Sequence, residues 1–507
     1  MLQVMLWPMF ALCSPQRPAR TVPAMQMIFF SSKGWRSWGL SGRPVIAELM
    51  PVLVDDDLLF EDERGVRDTV AINTWLRWLP LDGVPAPNSW EFYGRTLREW
   101  CEFLATLRIG VFDERGRLKD ALSLYAVDRS CGPLKRRLAA TTWNQQMSIL
   151  SRFYTWADRE SHAPAVPFTY KEAVSMYGDQ VRTQRVNQAH RRTPKRHVTI
   201  RYFEADFGEM FVRGLAGLRP DGSPDTSYRG RTLTRNATVG DFVLSSGLRS
   251  QEFTYLLDVE VPALPPKPTA LPISFPVPEG VTKGRKFRTT WTSYSSLARV
   301  HRYMTTVRPL ATVGSRWKPP ARWGEPLVVS EADARGGRVN GTRVKWAALT
   351  PSERRRLVAP DGGSMLLGVQ ANGAPFTAWA TVFERTSTRI RERFEPRFPH
   401  TAPHRLRHTF AIRTLEWLVS GHFMEAARMV HATDTDAALA LYLGKADPMM
   451  VLRDLLGHTS VVTTEAYLRR LDMTRIYREA YERAGHEFDL FAEAEADEEF
   501  EDEAVLV

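Results

Sequence analysis

Apolar residues recur at three- and four-residue steps in several stretches of the first third of the chain. Trp90, Tyr93, Leu97, Trp100 and Leu104 form one stripe, Trp143, Met147, Leu150 and Tyr154 a second, and Val70, Ile72, Trp75 and Leu79 a third. That spacing is the signature of amphipathic helices, and Asn88, three residues before Glu91, resembles a capping box. Residues 52–180 therefore read as a small helical domain with an aromatic core. Past residue 201 the pattern is mixed. "TRNATVGDFVLSSGLRSQEFTYLLDVEV" reads as a helix, a glycine turn at Gly247, a second helix and a strand from about Leu257. Val261 to Pro278 is proline-rich and reads as loop. "GVTKGRKFRTTW" reads as a β-hairpin around a Lys-Gly turn. Residues 309–375 read as irregular, 378–394 as a helix, and 423–484 as further helices. Pro403 opens another helix whose buried side is Leu406, Phe410, Leu415 and Leu418. At 507 residues the chain is too long for one core, so the expected fold is α-rich and multidomain, with no internal repeat.

Charge narrows the class of partner. The formal net charge is +10, and ten of the 58 acidic residues lie between His486 and Val507, where there is no Lys or Arg. The rest of the chain thus carries +20, which favours a polyanionic partner. Residues 1–51 hold Arg17, Arg20, Lys33, Arg36 and Arg43 before the first acid, Glu48, and read as a basic, disordered leader. Its apolar opening resembles a signal-peptide core but lacks a basic start and contains Pro8. Met27 and Met50 are alternative starts. Residues 181–201 carry Arg182, Arg185, Arg191, Arg192, Lys195, Arg196 and Arg201 without an acid. They form either a solvated linker or a strand that follows phosphates, with the first six as DNA contacts. The three cysteines have no metal-ligand or redox spacing and suit a reducing cytoplasm. No apolar run is long enough for a membrane span, so no membrane partner is expected. No metal cluster or Walker-type phosphate loop is visible.

The chemistry-bearing residues are concentrated in a few short motifs. "TAPHRLRHTF" places His404 and Arg407 on one face of a first helical turn, against the sense of the helix dipole. An anion opposite them, with the free backbone amides of the turn, resolves the conflict. "SSGLRSQEF" sets Arg249 at a turn, with Glu252 three residues on to hold its guanidinium. "VTKGRKF" offers Lys283 at a hairpin tip, with Lys286 as its competitor. "LLGHTSVVTTEAYLRR" ends a helix at Gly457, presents His458 and carries Tyr467 on the next helix.

Taken in order, Gly247–Glu252, the Lys-Gly hairpin, "HRLRHTFA" and "LLGH…TTEAYL" resemble the boxes of the tyrosine recombinase, or phage integrase, family. "NQQMSILSRFYTWA" resembles the last helices of that family's core-binding domain. The resemblance implies a helical, SAM-like core-binding domain (52–180), the linker (181–201) and a mixed α/β catalytic domain with a small sheet (202–485). Insertions are expected near 309–375 and 422–447, and an acidic tail at 486–507. It further implies that Tyr467 attacks a DNA phosphate to form a 3′-phosphotyrosyl bond, and that Arg249 and Arg407 grip its oxygens. Lys283 would protonate the leaving 5′-oxygen. His404 and His458 would bind the phosphate, with His404 a candidate acceptor of the phenol proton, and Glu252 and His408 would support them from behind. By the same resemblance the protein is a site-specific recombinase acting on double-stranded DNA through a Holliday junction, as a tetramer, in the cytoplasm and on the nucleoid, without metal, ATP or another cofactor. The alternatives are a type IB topoisomerase, a DNA-binding protein that keeps the fold without catalysis, and, more distantly, a His–Arg phosphatase. The tail is expected to pack on a neighbouring subunit, to mask the basic face, or to remain solvated.

Overall fold

The computed structural model of the protein describes residues 25–63, 65–177, 180–192, 201–420, 446–458 and 461–468. The chain divides into two compact units, Met1–Arg196 and His197–Val507. Among the described residues no helix is long and apolar enough to cross a membrane.

The first unit opens with β1 (Gln26–Phe29), paired antiparallel with β2 (Pro51–Val54) so that Met27 faces Leu53. A short hairpin, β3 (Glu61–Asp62) and β4 (Gly65–Val66), leads to four helices: α1 (Asp68–Trp78), α2 (Pro87–Leu107), α3 (Arg115–Cys131) and α4 (Ala140–Arg159). The three aromatic stripes form its core, with Trp75, Trp100, Trp143 and Tyr154 almost wholly buried. Trp143 Nε1 donates to the Ala189 carbonyl at 2.7 Å. Trp100 Nε1 donates to Tyr154 Oη at 2.8 Å, which donates to the Val111 carbonyl at 2.9 Å.

Several expectations are corrected here. Residues 25–51 are not a disordered leader, because Met25, Met27, Phe30 and Ile46 pack on the helical core and β1 pairs with β2. A four-residue strand has too few alternations to show in a sequence. The second helix begins at Pro87 with Ala86 at its cap, so Asn88 falls inside the helix and not at the cap position expected of it. Part of the expected linker is β6 (Gln180–Asn187), which pairs with β5 (Tyr170–Tyr177) in one long hairpin.

The second unit starts with α5 (Ala205–Leu215), α6 (Leu233–Ser246) and the single turn α7 (Ser250–Thr254). Helix α6 is buried along its length, and the core gathers Phe211, Phe242, Phe253, Trp379 and Phe383 around it. The strand expected near Leu257 is a 3-10 turn, Asp258–Glu260. The hairpin is wider than expected. Its strands are β7 (Ile273–Val277), within the stretch read as loop, and β8 (Arg288–Thr292). The Lys-Gly turn lies in the loop between them, with Gly284 at φ +80° and Arg285 at φ +52°.

Helices α8 (Tyr294–Arg302) and α9 (Arg308–Thr312) follow. The region read as irregular contains β9 (Leu327–Ala332), β10 (Gly336–Val339), β11 (Thr342–Lys345), the turn α10 (Pro351–Arg354) and β12 (Leu357–Val358). The strands form a sheet in the order β11-β10-β9-β12, over a separate core of Val329, Val339, Trp346 and Leu357. Its glycines and turn residues hid these strands, since they serve tight β-connections as readily as open loop. Arg354, wholly buried, fastens the sheet to the turn after α7 through a bidentate pair with Glu260 at 2.6 and 2.8 Å. Helices α11 (Trp379–Arg393), α12 (Pro403–Val419), α13 (Pro448–Leu456) and α14 (Val461–Leu468) complete the described unit. The second expected insertion, apart from Ala446 and Asp447, and the acidic tail lie outside the described residues.

Candidate active site

Three helix termini meet at the site: the turn from α6 to α7, the start of α12 and the end of α13. Gly247 closes α6 at φ +61°, and a Cβ there would stand 2.2 Å from the Phe410 ring of α12, so only glycine fits. Gly457 closes α13 at φ +60°, where a Cβ would come within 2.5 Å of Arg288 Cδ. The last carbonyls of a helix lack partners within it and carry its negative pole. Here guanidiniums fill that need. Leu455 O accepts from Arg288 Nη1. Leu456 O accepts from Arg249 Nη2 at 3.0 Å and from Arg407 Nη2 at 2.5 Å. Gly457 O accepts from Arg249 Nη2 at 3.2 Å. Arg407 also donates to Gly247 O at 2.6 Å.

Glu252, 1% exposed, binds two of these cations. It accepts from the Arg249 backbone N–H at 2.7 Å and from Arg249 Nη1 at 2.9 Å, and pairs with Arg288 Nη2 at 2.5 Å. Burial pushes its carboxyl up, but Arg288 beside it prevails and holds it below the usual range. Three guanidiniums against one carboxylate leave a formal excess of two positive charges. Burial and the neighbouring Arg249 and Arg288 weaken the hold of Arg407 on its proton, though an arginine stays cationic at neutral pH.

Tyr467 is 3% exposed on α14. Its Oη lies 2.8 Å from Nδ1 of His408, a residue expected only to support the site from behind. The ring of His458 stacks 6.4 Å from that of Tyr467, with Nδ1 3.0 Å from Thr464 Oγ1. His404 is exposed at the second position of α12, 6.3 Å from the His408 ring. Burial raises the Tyr467 phenol, while Arg407 and Arg249 pull it back, so the phenol is protonated at rest and needs a base. The part of the His404 side chain that is withdrawn from solvent, joined by Arg407 and Arg249, also lowers its imidazole below the usual value.

An open cleft of about 830 Å³ is lined by Arg249, Lys283, Lys286, Arg288 and His458. Lys283 and Lys286 are both exposed on its rim. Arg407 and Tyr467 lie out of solvent, and Arg407 and Arg249 share the Leu456 carbonyl. Arg288 was not anticipated. Nothing distinguishes it from its neighbours in "GRKFRTT", because its partners are 36 residues earlier and 167 later.

The expected linker contacts are distributed differently. Arg182 and Arg185 lie on β6, and Arg185 covers the Tyr170 ring at 4.2 Å. Arg191 lies over Trp143 at 4.2 Å and donates to Ala126 O at 2.7 Å, which fastens it to its own unit. Arg192 is exposed, and Lys195 and Arg196 lie outside the described residues. Among the described residues no three His, Cys, Asp or Glu side chains are grouped to hold a metal ion.

Two half-buried histidines give the fold a pH dependence. Burial, then His404, Arg407 and Arg405, presses His408 down to about 4. Burial, then Arg407, Arg249, Arg288 and His408, does the same to His458. An unfolded histidine titrates near 6.5. Between these values the unfolded chain binds more protons, so stability is fully present above about 6.5 and is lost as pH falls toward 4. Thermal melts should show Tm dropping through that window, with a shallower drop in His458→Gln. An equal slope in that variant would refute the assignment.

No family model matches the sequence, and no curated protein matches it. Among solved structures, the chain is similar to the XerH site-specific recombinase bound to difH substrate in a pre-cleavage complex. The identity is 13% and the TM-score 0.41, covering 81% of this chain and 87% of that one. It is also similar to the Tn1549 transposon integrase (aa 82–397) in complex with circular intermediate DNA. There the identity is 13% and the TM-score 0.44, covering 82% of this chain and 99% of that one.

Proposed function

We propose that this chain is a tyrosine recombinase that cuts and rejoins double-stranded DNA at specific sites. The observation that carries the reading is the convergence of distant motif residues. Arg249 and Arg407 meet on one carbonyl of α13, and Tyr467 of the next helix stacks with His458 of the turn between the two helices, about two hundred residues further on than Arg249. Two excess positive charges match the dianionic, five-coordinate state of phosphodiester cleavage.

In this mechanism Tyr467 Oη attacks the phosphorus. The Oη–P bond forms, the bond from phosphorus to the 5′-oxygen breaks, and a 3′-phosphotyrosyl link remains. The phenol proton passes to Nδ1 of His408, the histidine within hydrogen-bonding distance, rather than to His404. Lys283 or Lys286 supplies a proton to the departing 5′-oxygen. Arg249, Arg407 and His458 hold the non-bridging oxygens, with His404 at the mouth of the site. The covalent link conserves the phosphoester, so the reverse step rejoins a strand without ATP. Four protomers on two sites exchange strands in pairs through a Holliday junction, and binding weakens steeply with salt.

The test is a nicked duplex drawn from the flanks of the gene, on which the cleaved strand cannot be rejoined. A covalent protein–DNA adduct should form with the wild type and with Tyr442→Phe, and vanish with Tyr467→Phe. An adduct that survives Tyr467→Phe would overturn the choice of nucleophile. Exchange of strands between two labelled duplexes separates a recombinase from an enzyme that only relaxes DNA.

A further inference from the structure

We propose that Phe287 is a wedge that enters the base stack beside the scissile phosphate; this rests on the recombinase reading above. Phe287 is 64% exposed, on the rim of the cleft that also presents Arg249, Lys283 and His458. Among the described residues no aromatic ring packs against it. A singly exposed apolar side chain is ordinary on a protein surface. This one differs in its setting. Lys283, Arg285 and Lys286 precede it within four residues, and no acid lies between Val281 and Thr292. Cations that follow the phosphates, interleaved with an aromatic ring, are the composition that grips a nucleic acid and stacks on or between its bases.

The loop is also held firmly enough to act as a wedge. Gln251 Nε2 donates to Val281 O at 2.9 Å, and Thr282 Oγ1 bridges the loop to Lys286 O at 2.8 Å. Arg285 Nη2 donates to Ala348 O at 3.2 Å, tying the loop to the 3-10 turn that follows β11. A Cβ on Gly280 would stand 2.5 Å from Leu349 O, so the loop is in direct contact with the turn that follows β11. On the other side Arg288 is buried and paired with Glu252. The ring therefore projects from anchored backbone, next to the groups that receive the phosphate. Unstacking a step there would widen the approach to the phosphorus, and it requires no particular base because every base has a π-face.

The experiment uses the full chain and the nicked duplex, with 2-aminopurine placed in turn at the bases flanking the nick. The wild type should raise the fluorescence of one flanking position on binding. Phe287→Ala should abolish that rise and weaken binding about 5–150-fold, while Phe287→Trp keeps both. An exposed side chain leaves the fold intact when truncated, which circular dichroism checks. Covalent attachment by Phe287→Ala with unchanged fluorescence and affinity would overturn the wedge alone. Failure of the wild type to bind or attach to the DNA would remove the recombinase reading, and the wedge with it.

Discussion

Arg407→Ala slows covalent attachment to the nicked duplex by about 10²–10³-fold, the usual effect of losing one preorganised donor to a developing oxyanion. Among the arginines of the cluster, Arg407 connects both halves of the site. It is 4% exposed and donates to Gly247 O on one side and to Leu456 O on the other. Its loss removes a charge from the phosphate clamp and also leaves two carbonyls without this donor, at about 1–3 kcal/mol for each one left unsatisfied. A drop in Tm should therefore accompany the loss of rate. Arg407→Lys restores the charge but not the planar fork, and is expected to stay far below wild type. Single-turnover kinetics on protein that is still folded by circular dichroism decide the matter. A rate within tenfold of wild type for Arg407→Ala would remove this residue from the clamp.

His408→Ala is the second large effect, with a loss of about 10²–10⁴-fold, the range for removing a positioned general base. The contact responsible is the 2.8 Å approach of Nδ1 to the Tyr467 oxygen. Burial, His404, Arg407 and Arg405 keep the ring neutral down to about pH 4, so at neutral pH it can accept a proton. A structural role and a chemical one differ in their pH dependence. If His408 takes the proton, the deficit of His408→Ala shrinks as rising pH ionises the phenol unaided. If it merely supports the helix, the deficit stays constant. His404→Ala should cost less, since its ring is exposed and His408 occupies the phenol. A greater loss in His404→Ala than in His408→Ala would return the base to His404.

How far the molecule was readable depended on the range of the interaction. Three of the four helices of the first unit, α1, α2 and α4, could be recognised because Trp75, Trp100, Trp143 and Tyr154 lie in stripes with the helical period, and burial follows that period wherever one face meets a core. Gly247 and Gly457 marked helix ends because a left-handed residue is a local requirement. The short strands were missed for the opposite reason. Pairing of Gln26–Phe29 with Pro51–Val54, or of β9 with β12, is decided by a partner more than twenty residues away, and four residues contain too little alternation to reveal it. Arg191 looked like a phosphate contact by composition, yet Trp143 and the Ala126 carbonyl occupy it.

The same division runs through the site. The motifs and their order name Arg249, Glu252, Arg407, His458 and Tyr467, because each lies in a short stretch whose residue types and spacing are legible without a fold. Which histidine touches the phenol follows only once α12 and α14 are packed together, and that Arg288 completes the cluster only once β8 is packed against α13. A sequence records neighbours along the chain, whereas these contacts form between helices and a strand that meet only in the folded protein.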